Sequence, residues 1–250
     1  MNGSSSSLTI VTSTSEQPHT APTTSWGLPE TWQAIGVVVV SVILGIIATN
    51  VFLVVVPSGG RGDTTVGATT LAISMLAEAA MVAVVWRFAI KRRGASWRNV
   101  GFRSPNANRM AIGVPATLLA AFFTIGLFSF VVFELGLRNP DDSVILPELL
   151  AGPLLLALFV TSVVVAPIAE ETFFRGFVFG ALRGRWGAVR GGAASAALFG
   201  LAHPDLFFIV PVTILGALLV MLYVWTDSLW GPIAVHAMFN ALQLLPELVS

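Results

Sequence analysis

The chain has 250 residues, of which 55% are hydrophobic and only 10% are charged. A soluble domain carries about 25% charged residues, so this composition indicates a membrane protein with several spans and excludes an ordinary soluble domain. The 13 basic and 13 acidic side chains leave no net charge, which argues against nucleic acid as a partner.

The first 30 residues differ in composition from the rest of the chain. They are rich in serine and threonine, contain Pro18 and Pro22, and show no apolar period, which predicts a disordered tail. The tail lacks lysine and arginine, so it does not have the basic start of a cleaved signal peptide. We therefore expect a tail at 1–30 and a transmembrane domain at 31–250, with the first apolar run retained as a helix.

Apolar runs then follow one another to the end of the chain. A helix needs about 20 apolar residues to cross a bilayer. Candidate spans lie at 33–56, 66–90, 109–136, 149–182, 190–203, 206–226 and 229–247. The fifth run is short, and Pro204 disfavours helix at the preceding residue. The sequence predicts an all-α transmembrane helix bundle of seven spans, with eight as the alternative count.

The basic residues predict how the chain is oriented, because lysine and arginine concentrate in cytoplasmic loops. The loop after the second run holds Lys91, Arg92, Arg93, Arg98, Arg103 and Arg109. The turn after the fourth run holds Arg183, Arg185 and Arg190. The loop between these two segments is acidic, with Asp141, Asp142 and Glu148. We expect a cytoplasmic N-terminus in a multi-pass protein of a prokaryotic plasma membrane.

Polar side chains interrupt three of the later apolar runs. They are Glu170, Glu171 and Arg175 in A-P-I-A-E-E-T-F-F-R, His203 in F-G-L-A-H, and His236 with Asn240 in H-A-M-F-N. A charged group at membrane depth costs several kcal/mol and marks a functional site by default. At 1.5 Å per residue, Glu170 and His203 each lie about 20 Å from arginines of the predicted cytoplasmic turn, and His236 lies about 14 Å from Asp227. The three segments can therefore converge at one depth.

Helical spacing separates the roles of the two adjacent acids. Glu171 and Arg175 are four residues apart, so they can form an ion pair, whereas Glu170 is rotated by about 100° and is expected to face a cavity. Pro167 cannot donate a backbone hydrogen bond, which predicts a kink and an open carbonyl near Val163. Glu78 stands alone in the second run, and we interpret it as a structural or packing residue.

The three motifs resemble the CPBP family of intramembrane proteases, which includes the type II CAAX prenyl endopeptidases and bacterial bacteriocin-processing or immunity proteins. The family pattern E-E-x-x-x-R, F-x-x-x-H and H-x-x-x-N is met in order by residues 170–175, 199–203 and 236–240. W-R-N-V-G-F at 97–102 and T-D-S-L-W-G-P-I before His236 are also similar to the family. The resemblance covers about 95–245, which is the expected protease core.

The resemblance implies a bundle of the CAAX-protease type that cleaves a peptide bond of a membrane-associated protein or peptide at the lipid bilayer. It implies that Glu170 and His203 activate a water, and that His236 and Asn240 stabilise the oxyanion. Glu171, Arg175 and Phe199 are then supporting residues.

Several alternatives stay open at this point. Zinc could be held by Glu170, His203 and His236, since three protein ligands and a water are usual for catalytic zinc. The helical H-E-x-x-H signature is absent and the chain has no cysteine, so we expect a site without a cofactor. The alternative functions are a non-proteolytic immunity or scaffold protein and an ion-coupled transporter. The complete motif set favours a peptidase, and the lack of internal repeats counts against a transporter.

Overall fold

The computed structural model describes residues 24–55, 64–137, 149, 152–203 and 206–249, and within these ranges it is helical with no strand. The helices are α1 (Leu28–Val55), α2 (Thr64–Val85), α3 (Trp97–Val100), α4 (Ala107–Glu134), α5 (Gly152–Val160), α6 (Ala166–Glu171), α7 (Phe179–Leu201), α8 (Leu206–Thr226) and α9 (Trp230–Val249). Three π-helical segments, Trp86–Lys91, Thr161–Val165 and Thr172–Val178, extend or join them.

The predicted all-α membrane bundle is confirmed. Helical stretches long and apolar enough to cross a membrane are Leu28–Phe52, Thr65–Lys91, Ala107–Glu134, Gly152–Leu201 and Phe207–Thr226. The last predicted run, 229–247, corresponds to α9, which begins one residue later at Trp230. The predicted count of seven crossings is not decided by these lengths and stays a prediction. The acidic residues Asp141, Asp142 and Glu148, and also Pro204, lie outside the described residues.

The stretch Gly152–Leu201 contains two of the predicted runs and folds back on itself at Gly187. This glycine has φ 79° and ψ 172°, which a residue with a side chain adopts only under strain. Beyond it, Gly191 lies against the backbone of Arg183, and Ser195 Oγ donates to Phe174 O at 3.0 Å. The two legs therefore lie side by side, with the arginine-rich turn between them.

The legs of this hairpin form the centre of the bundle. α7 packs on α8, which packs on α4 and α9, while α2 packs on α1 and on the helix from α5 to the segment Thr172–Val178. The central core is rich in phenylalanine, with Phe173, Phe174, Phe177, Phe179 and Phe199 all buried. Interlocking aromatic rings hold the helix that carries the two acids, so the site stands on a well-packed element.

Ordered packing begins before the predicted boundary at residue 30. α1 begins at Leu28, and the buried Trp26 donates from Nε1 to Phe177 O at 2.9 Å and stacks on the Phe177 ring. Glu30 is buried and forms an ion pair with Arg93. The remaining tail, residues 1–23 with Pro18 and Pro22, lies outside the described residues.

The two flanking motifs of the sequence meet at one end of the bundle. Gly101, in W-R-N-V-G-F, accepts a hydrogen bond from the Leu229 backbone at 2.9 Å, and Ser228 Oγ donates to Arg103 O at 2.7 Å. Gly101 has φ 130°, and a Cβ there would lie 2.7 Å from the Tyr223 hydroxyl. A close backbone approach thus ties the loop before α4 to the turn before α9.

Candidate active site

The helix around the two acids is wound more loosely than an α-helix. In the segment Thr161–Val165 the register is i to i−5, since the Ala166 amide donates to Thr161 O. In that register the next donor would be Pro167, which has no N–H, so Ser162 O loses its backbone partner. Asn240 Nδ2 supplies the missing bond at 2.8 Å. The opened carbonyl is thus one residue before the predicted Val163, and a protein amide occupies it.

The predicted ion pair between Glu171 and Arg175 is present. Arg175 Nη1 lies 2.8 Å from Glu171 Oε1, and both side chains are completely buried. The guanidinium also donates to Gly216 O and lies 4.1 Å from the centre of the Phe199 ring. Partners on both sides compensate a charge that would otherwise be costly to bury.

His236 lies between the two acids. Its Nδ1 is 2.9 Å from Glu171 Oε1, so this nitrogen donates a hydrogen to the carboxylate. Its Nε2 faces Glu170 Oε2 at 3.8 Å, which is beyond direct hydrogen-bond length. The Glu170 oxygen has no hydrogen-bond partner among the described residues. Because Oε2 is free of structural bonds within the described residues, it is available to take a proton.

His203 reaches the same region through Phe199. Its Nδ1 lies 3.0 Å from Phe199 O, and since a carbonyl only accepts, Nδ1 carries the hydrogen and Nε2 keeps a free lone pair in the neutral ring. The Phe199 ring contacts both imidazoles edge to face, with centroid distances of 5.3 Å to His203 and 5.7 Å to His236. One phenylalanine therefore positions two histidines and the arginine.

The structure groups the predicted residues differently from the sequence. It places His236 beside Glu170 and connects His203 to the site through the Phe199 ring. Within the described ranges, no hydrogen bond or ion pair joins His203 to Glu170. The predicted pairing of Glu170 with His203 therefore stays a prediction.

Glu78, which the sequence predicts to be a structural or packing residue, is buried in α2. It is 5% exposed, its Oε2 has no hydrogen-bond partner within the described residues, and its helix α2 packs on α6, which carries the two acids. The depth of Glu78 in the sequence matches that of Glu170. Glu78 lies 13 residues before Lys91, which is about 20 Å along a helix.

The described residues contain no group of three His, Cys, Asp or Glu side chains arranged to hold a metal ion. The alternative in which Glu170, His203 and His236 hold zinc is tested by measuring the metal content of the protein.

Glu171→Gln is expected to lower the free energy of unfolding by about 3–5 kcal/mol, the usual cost of leaving a buried charge unpaired. Arg175 would lose its carboxylate partner and His236 its acceptor charge. Denaturant titration in detergent measures the effect, with Glu134→Gln, at an exposed position of α4, as the matched control. Equal stability of the two variants would contradict the ion-pair assignment.

Comparison with known proteins agrees with the resemblance seen in the motifs. Residues 152–242 match the family described as type II CAAX prenyl endopeptidase Rce1-like. A protein of Bacillus subtilis (strain 168) named "Putative membrane peptidase YdiL" is 32% identical over 151 residues, which cover 57% of this chain and 61% of that protein. The "Membrane-embedded CAAX protease MroQ" of Staphylococcus aureus (strain USA300) is 30% identical over 96 residues, 35% of this chain and 38% of that protein.

The predicted resemblance to the CPBP family is thus confirmed for the segment that carries all three motifs. The matched part of the chain spans less than two thirds of the length of each of these relatives. No solved structure gives a significant match.

Proposed function

We propose that the protein is an intramembrane endopeptidase that hydrolyses a peptide bond of a membrane-associated protein or peptide without a metal. The observation that carries this proposal is the Oε2 atom of Glu170, which has no hydrogen-bond partner within the described residues and faces His236. His236 is itself held by Glu171, which is paired with Arg175. The names of the two relatives, a membrane peptidase and a CAAX protease, favour the same class.

In the proposed reaction Glu170 accepts a proton from a water, and the oxygen of that water attacks the carbonyl carbon of the substrate. The free Nε2 of His203 orients the water. When the tetrahedral intermediate collapses, Glu170 returns its proton to the leaving amine, so the enzyme ends in its starting state. Positioned acid and base groups of this kind contribute roughly 10²–10⁴-fold to a rate.

The oxyanion is proposed to be stabilised by His236 and Asn240. His236 Nδ1 is occupied by Glu171, so Nε2 is the nitrogen proposed to donate a hydrogen to the oxyanion. Asn240 uses one N–H for Ser162 O and keeps a second N–H for substrate. A tightly held amide is a good oxyanion donor, because its orientation is set before the reaction.

The decisive experiment incubates the purified protein in detergent with a library of quenched fluorescent peptides. We expect the wild-type protein to cleave a subset of them and Glu170→Gln to cleave none. If neither protein cleaves any peptide and a membrane partner copurifies with both, the chain is a scaffold or immunity protein and the peptidase proposal is wrong.

We also propose that both arginine-rich segments face the cytoplasm, as does the N-terminus. Because the chain has no cysteine, single substitutions can be labelled with an impermeant thiol reagent. Ser104→Cys, at an exposed position, and Gly184→Cys, where a Cβ meets no atom within 4 Å, should react only in opened cells. Ser143→Cys, in the acidic loop, should react in intact cells. The reverse pattern would contradict the orientation.

A further inference from the structure

A polar cavity lies at the end of the bundle where the two flanking motifs meet, apart from the candidate active site. Its volume is about 200 Å³, below the range of pockets that take drug-sized ligands, so it suits a small polar group. Its walls come from the residues before α1, the segment between α2 and α4, the arginine-rich end of the acid-bearing leg, and the end of α8. None of the candidate catalytic residues lines it.

Basic side chains dominate the walls of this cavity. Arg93, Arg103 and Arg183 line it, and Asp227 is the acid among the lining residues. Arg103 forms an ion pair with Asp227, and Arg93 forms one with Glu30. Arg183 is half-buried and has no ion pair within the described residues. The cavity therefore keeps one guanidinium whose charge is not neutralised by an acid of the described chain.

Neutral donors lie around the same space. Asn99 accepts at Oδ1 from the Ser96 backbone at 2.8 Å and from Ser96 Oγ at 2.6 Å, which leaves its Nδ2 without a partner among the described residues. The buried Tyr223 hydroxyl donates to Val100 O at 3.4 Å, longer than a usual O–H···O bond. A free guanidinium, an amide and a weakly bonded hydroxyl form a donor set that lacks an acceptor. Phosphate oxygens match such a set, since the guanidinium fork binds them in pairs.

Tryptophan side chains place this end of the bundle at the membrane surface. Trp97, Trp186 and Trp230 are exposed, and each lies within three residues of a cavity-lining residue along the chain. Exposed tryptophan is enriched at the level of the lipid headgroups. Basic pockets between transmembrane helices at this level bind anionic headgroups. The cavity therefore lies at the depth where lipid phosphates are found.

We propose that this cavity is a binding site for a phosphate group, which either the headgroup of an anionic lipid or free phosphate supplies. Arg183 contributes two parallel N–H donors to the phosphate oxygens, and Asn99 Nδ2 donates to a further oxygen. A bound phosphate would connect the segment between α2 and α4 to the acid-bearing leg. Because the site forms only in the folded protein, its occupation raises the stability of the fold.

The lipid arm of the test uses the purified full chain in detergent micelles that contain phosphatidylcholine and phosphatidylglycerol in equal amounts. Mass spectrometry counts the lipid that each chain retains after washing. The wild type should retain phosphatidylglycerol in preference, and Arg183→Gln should bind it roughly 10- to 100-fold more weakly, the value of a hydrogen bond to a charged group. Arg183→Lys keeps the charge without the fork and should give an intermediate loss.

Arg185→Gln is the matched control, because it removes the same charge from the same turn at an exposed position that does not line the cavity. It should retain lipid as the wild type does. Equal losses in Arg183→Gln and Arg185→Gln would show that general surface charge attracts the lipid, and the proposal would be wrong. Since Arg183 has no ion pair within the described residues, both variants should melt at the wild-type temperature in detergent free of lipid and phosphate.

A second arm separates the two sources of phosphate by adding inorganic phosphate to the lipid-free protein. A rise in Tm that Arg185→Gln keeps and Arg183→Gln loses identifies free phosphate as a ligand of the cavity. Preferential retention of phosphatidylglycerol without that rise identifies the lipid headgroup. A wild type that neither prefers phosphatidylglycerol nor responds to phosphate would overturn the proposal, whatever the outcome of the peptide-cleavage experiments.

Discussion

Glu170→Gln is expected to lower the turnover of peptide cleavage by roughly 10²–10⁴-fold, the contribution of a positioned general base. The amide has the shape of the carboxylate but cannot take a proton from water. Because Glu170 Oε2 has no hydrogen-bond partner within the described residues, its replacement removes no protein bond at that oxygen. We therefore expect unchanged insertion and thermal stability, and the loss should appear in the turnover number.

The comparison with Glu171→Gln makes this expectation specific. Glu171 is bonded to both Arg175 and His236, so its replacement should reduce stability and activity together. Glu134→Gln, on the exposed surface of α4, should change neither. Wild-type turnover in purified Glu170→Gln would show that the base lies elsewhere in the site.

Asn240→Ala is expected to cut turnover by roughly 10²–10³-fold, the usual loss for one oxyanion donor. Turnover is to be measured on a cleaved peptide under saturating conditions. Asn240 also donates a hydrogen bond to Ser162 O in the resting protein, so its removal leaves that carbonyl without a partner and can lower turnover through the helix. A second substitution separates the two causes. Pro167→Ala restores a backbone N–H where the π-helical register lacks one, so it can donate to Ser162 O in place of the amide.

The double variant Asn240→Ala with Pro167→Ala should therefore recover the stability of the fold and leave turnover low. Recovery of turnover in the double variant would mean that Asn240 acts only through the helix. Pro167→Ala alone is the matched control, and it should retain activity because Asn240 is then still present.

Metal analysis distinguishes the metal-free reaction from zinc catalysis. Asn240→Ala should not change the zinc content in either case, since an amide is a poor zinc ligand. We expect active wild-type protein to contain well below one zinc per chain. Stoichiometric zinc that is lost in His203→Ala and in His236→Ala would overturn the metal-free reaction and leave the assignment as a peptidase intact.

Local features of this protein follow from the sequence alone. The apolar runs predict the helices, because a span must satisfy its backbone within itself. The spacing of Glu171 and Arg175 predicts their ion pair, since i and i+4 side chains share one helix face. The depth argument brings Glu170 and His236 to one level, and the structure indeed places them 3.8 Å apart. Each of these inferences uses only distances within one helix.

Relations between helices were decided only by the tertiary structure. The rotation of α7 and α9 against the acid-bearing helix decides which imidazole lies beside Glu170. The same rotation brings the Phe199 ring into contact with both histidines. The packing of α2, which carries the buried Glu78, on α6 is likewise a relation between separate helices. The partner of Asn240 follows from a π-helical register that shifts the open carbonyl by one residue. Periodicity determines which face a side chain occupies within its own helix, whereas the contacts of that face are set by the packing of segments far apart in the chain.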